Sequence, residues 1–153
     1  MVNPIPENYP RVNAYLIVDG AADAIDFYTS VLGAEERGRM PAPDGRIGHA
    51  ELSLGDSLIM LADESPEADA RGPRTVGGTP VLLHVYVEDV DDVYERALAA
   101  GALERRPVAD QFYGDRLGMF EDPWGHHWSV ASHIEDVSPE DMEKRAAEAM
   151  EGG

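Results

Sequence analysis

At 153 residues, with 43% hydrophobic and 27% charged side chains, the chain has the size and composition of one globular domain, or of two small halves sharing a core, rather than of a disordered segment. It contains no cysteine, which excludes disulfides, thiolate nucleophiles and thiolate zinc sites, so any metal must be held by His, Asp, Glu or backbone oxygen. Thirty acidic residues against twelve basic ones give a formal net charge of -18, which disfavours nucleic acid and anionic membrane as partners and draws cations to this acidic protein.

Residues 1–10 carry three prolines and predict an extended lead-in. From Val12 to Val18 apolar and polar positions alternate among β-branched and aromatic residues, which predicts a strand. Next, Ala21, Ala24, Ile25, Tyr28 and Leu32 recur at helical spacing and Gly33 supplies the stop. After Ala34 to Arg39 and a turn at PAPDGR, the stretch IGHAELSLGDSLIMLAD predicts a hairpin around Gly55 and Asp56. Residues 67–79 are polar, with Gly and Pro punctuation, and predict a linker.

The order then restarts. TPVLLHVYVEDV predicts a strand, and the following helix carries Val90, Val93, Tyr94, Ala97 and Leu98 on one face, with Gly101 at its end. LERRPVADQ, a turn at FYGD, RLGMFED and HHWSVAS complete three more strands. The pattern βαβββ therefore occurs twice, over residues 11–66 and 80–135. Pairing Val18 with Val87 also pairs Ala21 with Val90, Ile25 with Tyr94 and Met60 with Ser129, so the repeat lives in pattern and not in identity. The tail, residues 136–153, predicts a short helix with Ser138 as N-cap and Pro139 at its first position, ending near Met150. No apolar run approaches the roughly 18 residues of a membrane span, and the start MVNPIPENYPRVN lacks the basic region and apolar core of a signal peptide, so a cytoplasmic protein is expected.

Within this repeat, DAIDFYTSVLGAEE, GHAELSLGDSLIML, LHVYVEDVDDVYERALAAGA and DQFYGDRLGMFEDPWGHHW resemble the glyoxalase / bleomycin resistance protein / extradiol dioxygenase group, the vicinal oxygen chelate superfamily, and most of all its PhnB-like branch. The resemblance runs from Arg11 to about Val137. It implies an α+β fold in which two βαβββ modules, each a mixed four-stranded sheet, form one glyoxalase-like cup with ligand chemistry on its concave face. It also implies a homodimer, with modules paired within one chain or swapped between subunits. Enzymes of the group hold a divalent metal through up to four side chains on the first and last strands of each module, whereas other members carry no metal and bind or sequester a small toxic molecule. Fold alone does not choose between these.

Carried over residue by residue, the group's metal positions fall on Asn13, Met60, Leu82 and Ser129. None is His, Glu or Gln, and a tight divalent site needs at least three imidazole or carboxylate donors converging. The resemblance therefore implies a lost metal site, and no cofactor is expected.

Strand alternation sorts the remaining candidates. Leu82, His84 and Tyr86 face the cup while Leu83, Val85 and Val87 pack on helices; His127, Ser129 and Ala131 look inward while Trp128 and Val130 pack on the helix layer. On the first hairpin Ala50, Leu52 and Leu54 form the packed set and His49, Glu51 and Ser53 the concave one, with Tyr15 joining from the first strand. His49, Glu51, His84 and His127 are then hydrogen-bonding members of a wet cavity or, alternatively, a relocated His/Glu site for a divalent metal. Glu51 and His84 are the candidate general acid/base residues, although nothing in their spacing brings them together. Gln111, Phe112, Tyr113 and Arg116 sit at a turn where a loop can cover the cup's mouth, with an Arg116–Asp115 pair as the purely structural alternative. Trp124 belongs to the turn or to the rim, His126 to the turn and His133 to the surface.

Phosphate-cradling glycine loops, HExxH, nucleophile elbows and basic stripes are all missing. The expected function is metal-independent binding or sequestration of a small cationic, aromatic molecule in the cup between the two sheets. The alternative is a lyase, isomerase or dioxygenase that uses a nonstandard His/Glu metal site or acid/base residues in the same cavity.

Overall fold

The computed structural model describes residues 2–152, which divide into two units, 2–80 with Trp124–His126 and Val81–Pro123 with 127–152. In the first unit the sequence pattern becomes β1 (Ala14–Val18), α1 (Ala21–Leu32), β2 (Glu35–Pro41), β3 (Ile47–Leu54) and β4 (Ser57–Asp63). The sheet order is β1-β4-β3-β2, with β1 parallel to β4 and the other neighbours antiparallel. Alternation buries Leu16, Val18, Ala50, Leu52, Ile59 and Leu61, and α1 sets Ala24, Ile25, Tyr28 and Val31 among the buried residues of the same unit. Full burial of such side chains contributes about 1.5–3 kcal/mol each.

α1 begins at Gly20, whose left-handed backbone carries no capping side chain. The cap comes from the end of β4 instead. Asp63 Oδ1 accepts from the backbone N–H groups of Gly20 and Ala21, both at 2.8 Å, and Oδ2 accepts from Ile47 N at 2.8 Å. One carboxylate thus joins the helix N-terminus, the start of β3 and the end of β4.

Two expectations need correction. The segment read as a linker is folded: it contains a 3-10 turn (Pro66–Ala68) and a one-turn helix α2 (Pro73–Val76). Glu64 anchors it by accepting from Gly72 N at 2.8 Å and from Thr75 Oγ1 at 2.6 Å. Gly72 lies so close to β1 that a Cβ would stand 2.9 Å from the Ile17 carbonyl oxygen. The lead-in is not simply extended either, because it turns at Pro6 and brings the Tyr9 hydroxyl to Glu51 at 2.8 Å. Polar composition marks a segment as surface but says nothing of a single carboxylate that fastens it.

The second unit repeats the first as β5 (Leu82–Tyr86), α3 (Val90–Ala99), β6 (Leu103–Asp110), β7 (Asp115–Glu121) and β8 (His127–His133), followed by α4 (Pro139–Glu151). Its sheet order is β5-β8-β7-β6. The register also repeats, Tyr15 opposite Met60 in one unit and His84 opposite Ser129 in the other. Where α1 has Ile25, α3 has Tyr94, and room for that ring comes from Gly118, which replaces Ala50 at the matching ladder position. A Cβ on Gly118 would stand 3.0 Å from the Tyr94 ring. The Tyr94 hydroxyl donates toward the carbonyls of Arg106 and Met119, at 2.9 and 3.0 Å; burial pushes its pKa up to about 12. α4 is capped by Ser138, which accepts from Asp141 N at 3.2 Å, and has no buried residue. No helix among the described residues is long and apolar enough to cross a membrane.

Candidate functional site

The face of the first sheet opposite α1 carries a cluster of hydrogen-bonded polar side chains. His49 and Glu51, two residues apart on β3, point the same way, and His49 Nε2 lies 2.9 Å from Glu51 Oε2. Tyr15, on β1, reaches across β4 and places its hydroxyl 2.9 Å from His49 Nδ1. Tyr9 donates to the other Glu51 oxygen, and Arg37 lies over the Tyr9 ring at 5.2 Å. Hydrogen bonds from His49 and then Tyr9 hold the Glu51 carboxyl below the usual carboxylate range, and the same contact raises the Tyr9 phenol. An ionised Glu51 accepts only, so Nε2 of His49 carries a proton, and in the neutral imidazole Nδ1 then accepts from the Tyr15 hydroxyl. Tyr15 itself is 49% exposed.

Beside Tyr15 lies a cavity of about 780 Å³, inside the size range of small-molecule sites. Tyr15, Ile17 and Ala62 form its floor on β1 and β4, and the loop through Asp44 and Arg46 and the segment through Glu64 and Glu67 form its walls. Arg46 is already committed, donating to Asp19 at 2.8 Å and to Asp63 at 3.2 Å. Carboxylates therefore outnumber cations around this space.

The group's metal positions do not fit a divalent ion. Asn13 donates through Nδ2 to Pro10 O at 2.8 Å, and its Oδ1 is buried without a partner among the described residues. Met60 offers a thioether between Tyr15 and Glu51 on the neighbouring strands. In the second unit Leu82 offers only an alkyl chain, and Ser129, 1% exposed, has its hydroxyl 3.0 Å from His84 Nδ1. Within each unit the members of the relocated set have other partners. Both ring nitrogens of His49 are engaged, His84 meets Ser129, and His127 Nε2 lies 3.1 Å from Glu121 Oε1. No group of three or more His, Asp or Glu side chains gathers around a common point among the described residues.

On the second sheet's corresponding face His84 packs edge-on against Tyr86, with ring centroids 4.9 Å apart. Tyr86 donates to Asp115 at 2.9 Å, and that bond raises the Tyr86 phenol. Asp115 in turn meets His133 Nδ1 at 2.8 Å, while His133 Nε2 lies 2.7 Å from Asp136. Glu121, paired with Arg105 and His127, is held below the usual carboxylate range chiefly by Arg105. Of the acid/base candidates, Glu51 pairs with His49 in the first unit and His84 with Ser129 in the second.

Arg116 is a further correction. It binds Asp91 of α3 through two bonds of 2.9 Å and Asp110 at 2.9 Å, on the helix side of the sheet, and it does not pair with Asp115. The alternation that buries Phe120 beside α3 sends Arg116 the same way. The turn with Gln111, Phe112 and Tyr113 is tied to the tail: Ile134 N and Glu135 N donate to Gly114 O, and Arg145 donates to Phe112 O at 3.2 Å. Trp124 is a buried member of the first unit, its ring 5.6 Å from Phe27 and 6.0 Å from Tyr28. His126 places Nε2 2.9 Å from Ile17 O. Sequence reasoning missed Tyr9, Asp63 and the partners of His133. Only Asp63 had a signal, a helix opening on a glycine with no cap of its own.

A family profile described as Glyoxalase/Bleomycin resistance protein/Dioxygenase superfamily matches residues 10–130. Among curated proteins, "Uncharacterized protein Mb0911c" of Mycobacterium bovis is 40% identical over 146 residues, 94% of this chain and 96% of that protein. Among solved structures, TioX from Micromonospora sp. ML1 superposes with a TM-score of 0.63 at 27% identity, covering 84% of this chain and 100% of that one. The PhnB protein from Bacillus cereus has the same fold at a TM-score of 0.63 and 20% identity, with 80% and 99% covered.

Proposed function

The chain belongs to the glyoxalase/bleomycin resistance protein/dioxygenase superfamily, and on that premise we propose that it binds a small cationic, aromatic molecule without a metal, in the cavity beside Tyr15. The observation that carries this reading is the cavity itself: about 780 Å³, floored by Tyr15, Ile17 and Ala62 and walled by Asp44, Glu64 and Glu67. An aromatic face with carboxylates at the edge suits a flat organic cation, because ring and charge attract the same ligand. Metal independence is supported by the donors at Asn13, Met60, Leu82 and Ser129, which are too soft or too weak for a divalent ion. Placement in the PhnB-like branch, a homodimer and a cytoplasmic location belong to the same reading.

The test is a fluorescence titration of the purified protein with ethidium, an aromatic monocation, beside an aromatic sulfonate of similar size. Binding of the cation alone, weakened about tenfold in Tyr15→Ala and about threefold in Glu67→Gln, supports the reading. Equal binding of both dyes, or none, overturns it. Metal analysis tests the other half: near-stoichiometric Zn, Ni, Fe or Mn that is lost in His84→Ala or Glu51→Gln would overturn metal independence. A second reading, catalysis by acid/base residues in the same cavity, is favoured by the hydrogen-bonded chain from Tyr15 to Glu51.

A further inference from the structure

We propose that Tyr15, His49 and Glu51 form a metal-independent general-base relay that removes a proton from a carbon acid held in the cavity, a small molecule whose C–H is activated by an adjacent electron-withdrawing group. The inference rests on the binding reading and goes beyond it, from holding a molecule to changing it.

Three observations carry it. First, the order of hydrogen bonds is directional. Glu51 accepts from His49 Nε2–H, and in the neutral imidazole that the relay uses Nδ1 is left to accept from the Tyr15 hydroxyl, at 2.9 Å for each link. This is the logic of a nucleophile or base oriented by an imidazole that is itself oriented by a carboxylate. Second, the end of the chain is the end that opens on a cavity. Tyr15 is 49% exposed and lines the 780 Å³ space, whereas the side chains of His49 and Glu51 are only 27% and 19% exposed. The Tyr15 proton points at His49, so an oxygen lone pair remains for an incoming proton. Third, the duplicated fold supplies an internal comparison. The ladder positions that hold Tyr15, His49 and Glu51 in the first unit hold His84, Leu117 and Met119 in the second. The second unit carries polar contacts of its own, but not this Tyr–His–Glu set: its matching positions hold no acid and only one imidazole, so the repeat's architecture does not require the chain that stands next to the cavity.

In the step itself the substrate C–H proton moves to Tyr15 Oη as the Tyr15 proton moves to His49 Nδ1. The C–H electron pair stays on the substrate and spreads into its electron-withdrawing group. His49 becomes an imidazolium facing ionised Glu51, and return of the proton by the reverse path, to the same or a neighbouring atom, completes the cycle with no other reactant. Tyr15 is the catalytic residue, His49 the proton acceptor and Glu51 a positioning residue that also stabilises the imidazolium.

The test uses 5-nitrobenzisoxazole, whose C3–H is removed by a base as its N–O bond breaks to give a coloured cyanophenolate, a single step that needs no co-reactant. Full-length protein is assayed for release of the phenolate, and binding of the unreactive 5-nitrobenzimidazole is titrated in parallel. Saturable turnover in the wild type, with kcat lowered at least tenfold in Tyr15→Phe and in His49→Ala at unchanged melting temperature, supports the relay. Glu51→Gln is expected to lower kcat about tenfold while KM stays within twofold, a split that loss of packing would not give. Turnover that survives Tyr15→Phe overturns the relay, as does a wild type no faster than buffer. If ethidium still binds in that last case, the relay fails alone; if neither ethidium nor the benzimidazole binds, the binding reading fails with it.

Discussion

Replacing Asp63 with Asn is nearly isosteric, so its effect isolates the charge and the hydrogen bonds of the carboxylate that joins α1, β3 and β4. In the native protein three backbone donors reach that carboxylate at 2.8 Å, and the residue is 8% exposed. An amide has one oxygen, so either the Gly20/Ala21 pair or Ile47 must face an NH2 group. Leaving the buried Ile47 N–H without an acceptor costs about 1–3 kcal/mol, and turning the two remaining charge-assisted bonds into neutral ones costs roughly 0.5–1 kcal/mol each. The total is about 2–5 kcal/mol, which in a chain of this size lowers the melting temperature by roughly 4–20 °C. Arg46→Ala removes a 3.2 Å contact with Asp63 and a 2.8 Å contact with exposed Asp19, both from a side chain that is 42% exposed, and is expected to cost at most about 1 kcal/mol. Urea unfolding followed by circular dichroism measures both. Although burial alone would raise the Asp63 carboxyl, the N–H groups of Ile47, Ala21 and Gly20 and the Arg46 guanidinium bring its pKa below the usual value. Its contribution is therefore complete above the unfolded-state pKa of about 4 and is lost as pH falls through the lower folded value. Equal effects of Asp63→Asn and Arg46→Ala, or a difference from wild type that grows rather than shrinks on acidification, would refute this account.

His133 sits between the Asp115 and Asp136 carboxylates, which raise its pKa above the ordinary imidazole value. Two acceptors on two ring nitrogens are satisfied together only by the imidazolium. Stabilisation from this group is present in full below about pH 6.5 and fades as pH rises through the higher folded value; an NMR titration placing His133 at or below 6.5 would contradict it. Trp124→Ala removes a buried ring packed on Phe27 and Tyr28 and is expected to cost about 3–5 kcal/mol in thermal or urea unfolding. A loss under 1 kcal/mol would show that Trp124 does not belong to the first unit's core.

The placement of Trp124 shows where legibility ended. Its segment, EDPWG, was readable as a turn between strands, and it is one. That the turn residues Trp124–His126 join the first unit is a relation between positions about a hundred residues apart, for which local pattern carries no signal. Tyr9 is similar: the lead-in's prolines announce a segment without regular structure, while its hydroxyl contact with Glu51 depends on where β3 runs. Arg116 is different: read as a turn residue at the cavity's mouth, it lies on β7, where the alternation it shares with Phe120 turns it to Asp91 of α3.

The sequence alone determined the βαβββ repeat, the stops at Gly33 and Gly101, and which side chains share a face of each strand, because hydrophobic periods of 3.6 and 2 follow from backbone geometry. It also determined that Asn13, Met60, Leu82 and Ser129 are poor metal donors, since that is a matter of residue chemistry. Only the tertiary structure decided which of these side chains meet. Period-2 alternation says that Tyr15, His49 and Glu51 point to one side of their strands, but their hydrogen bonds exist because β4 pairs with β1 on one edge and with β3 on the other. Strand order is set by long-range packing, and so the step from three polar residues on one face to a connected chain beside a cavity had to come from the fold.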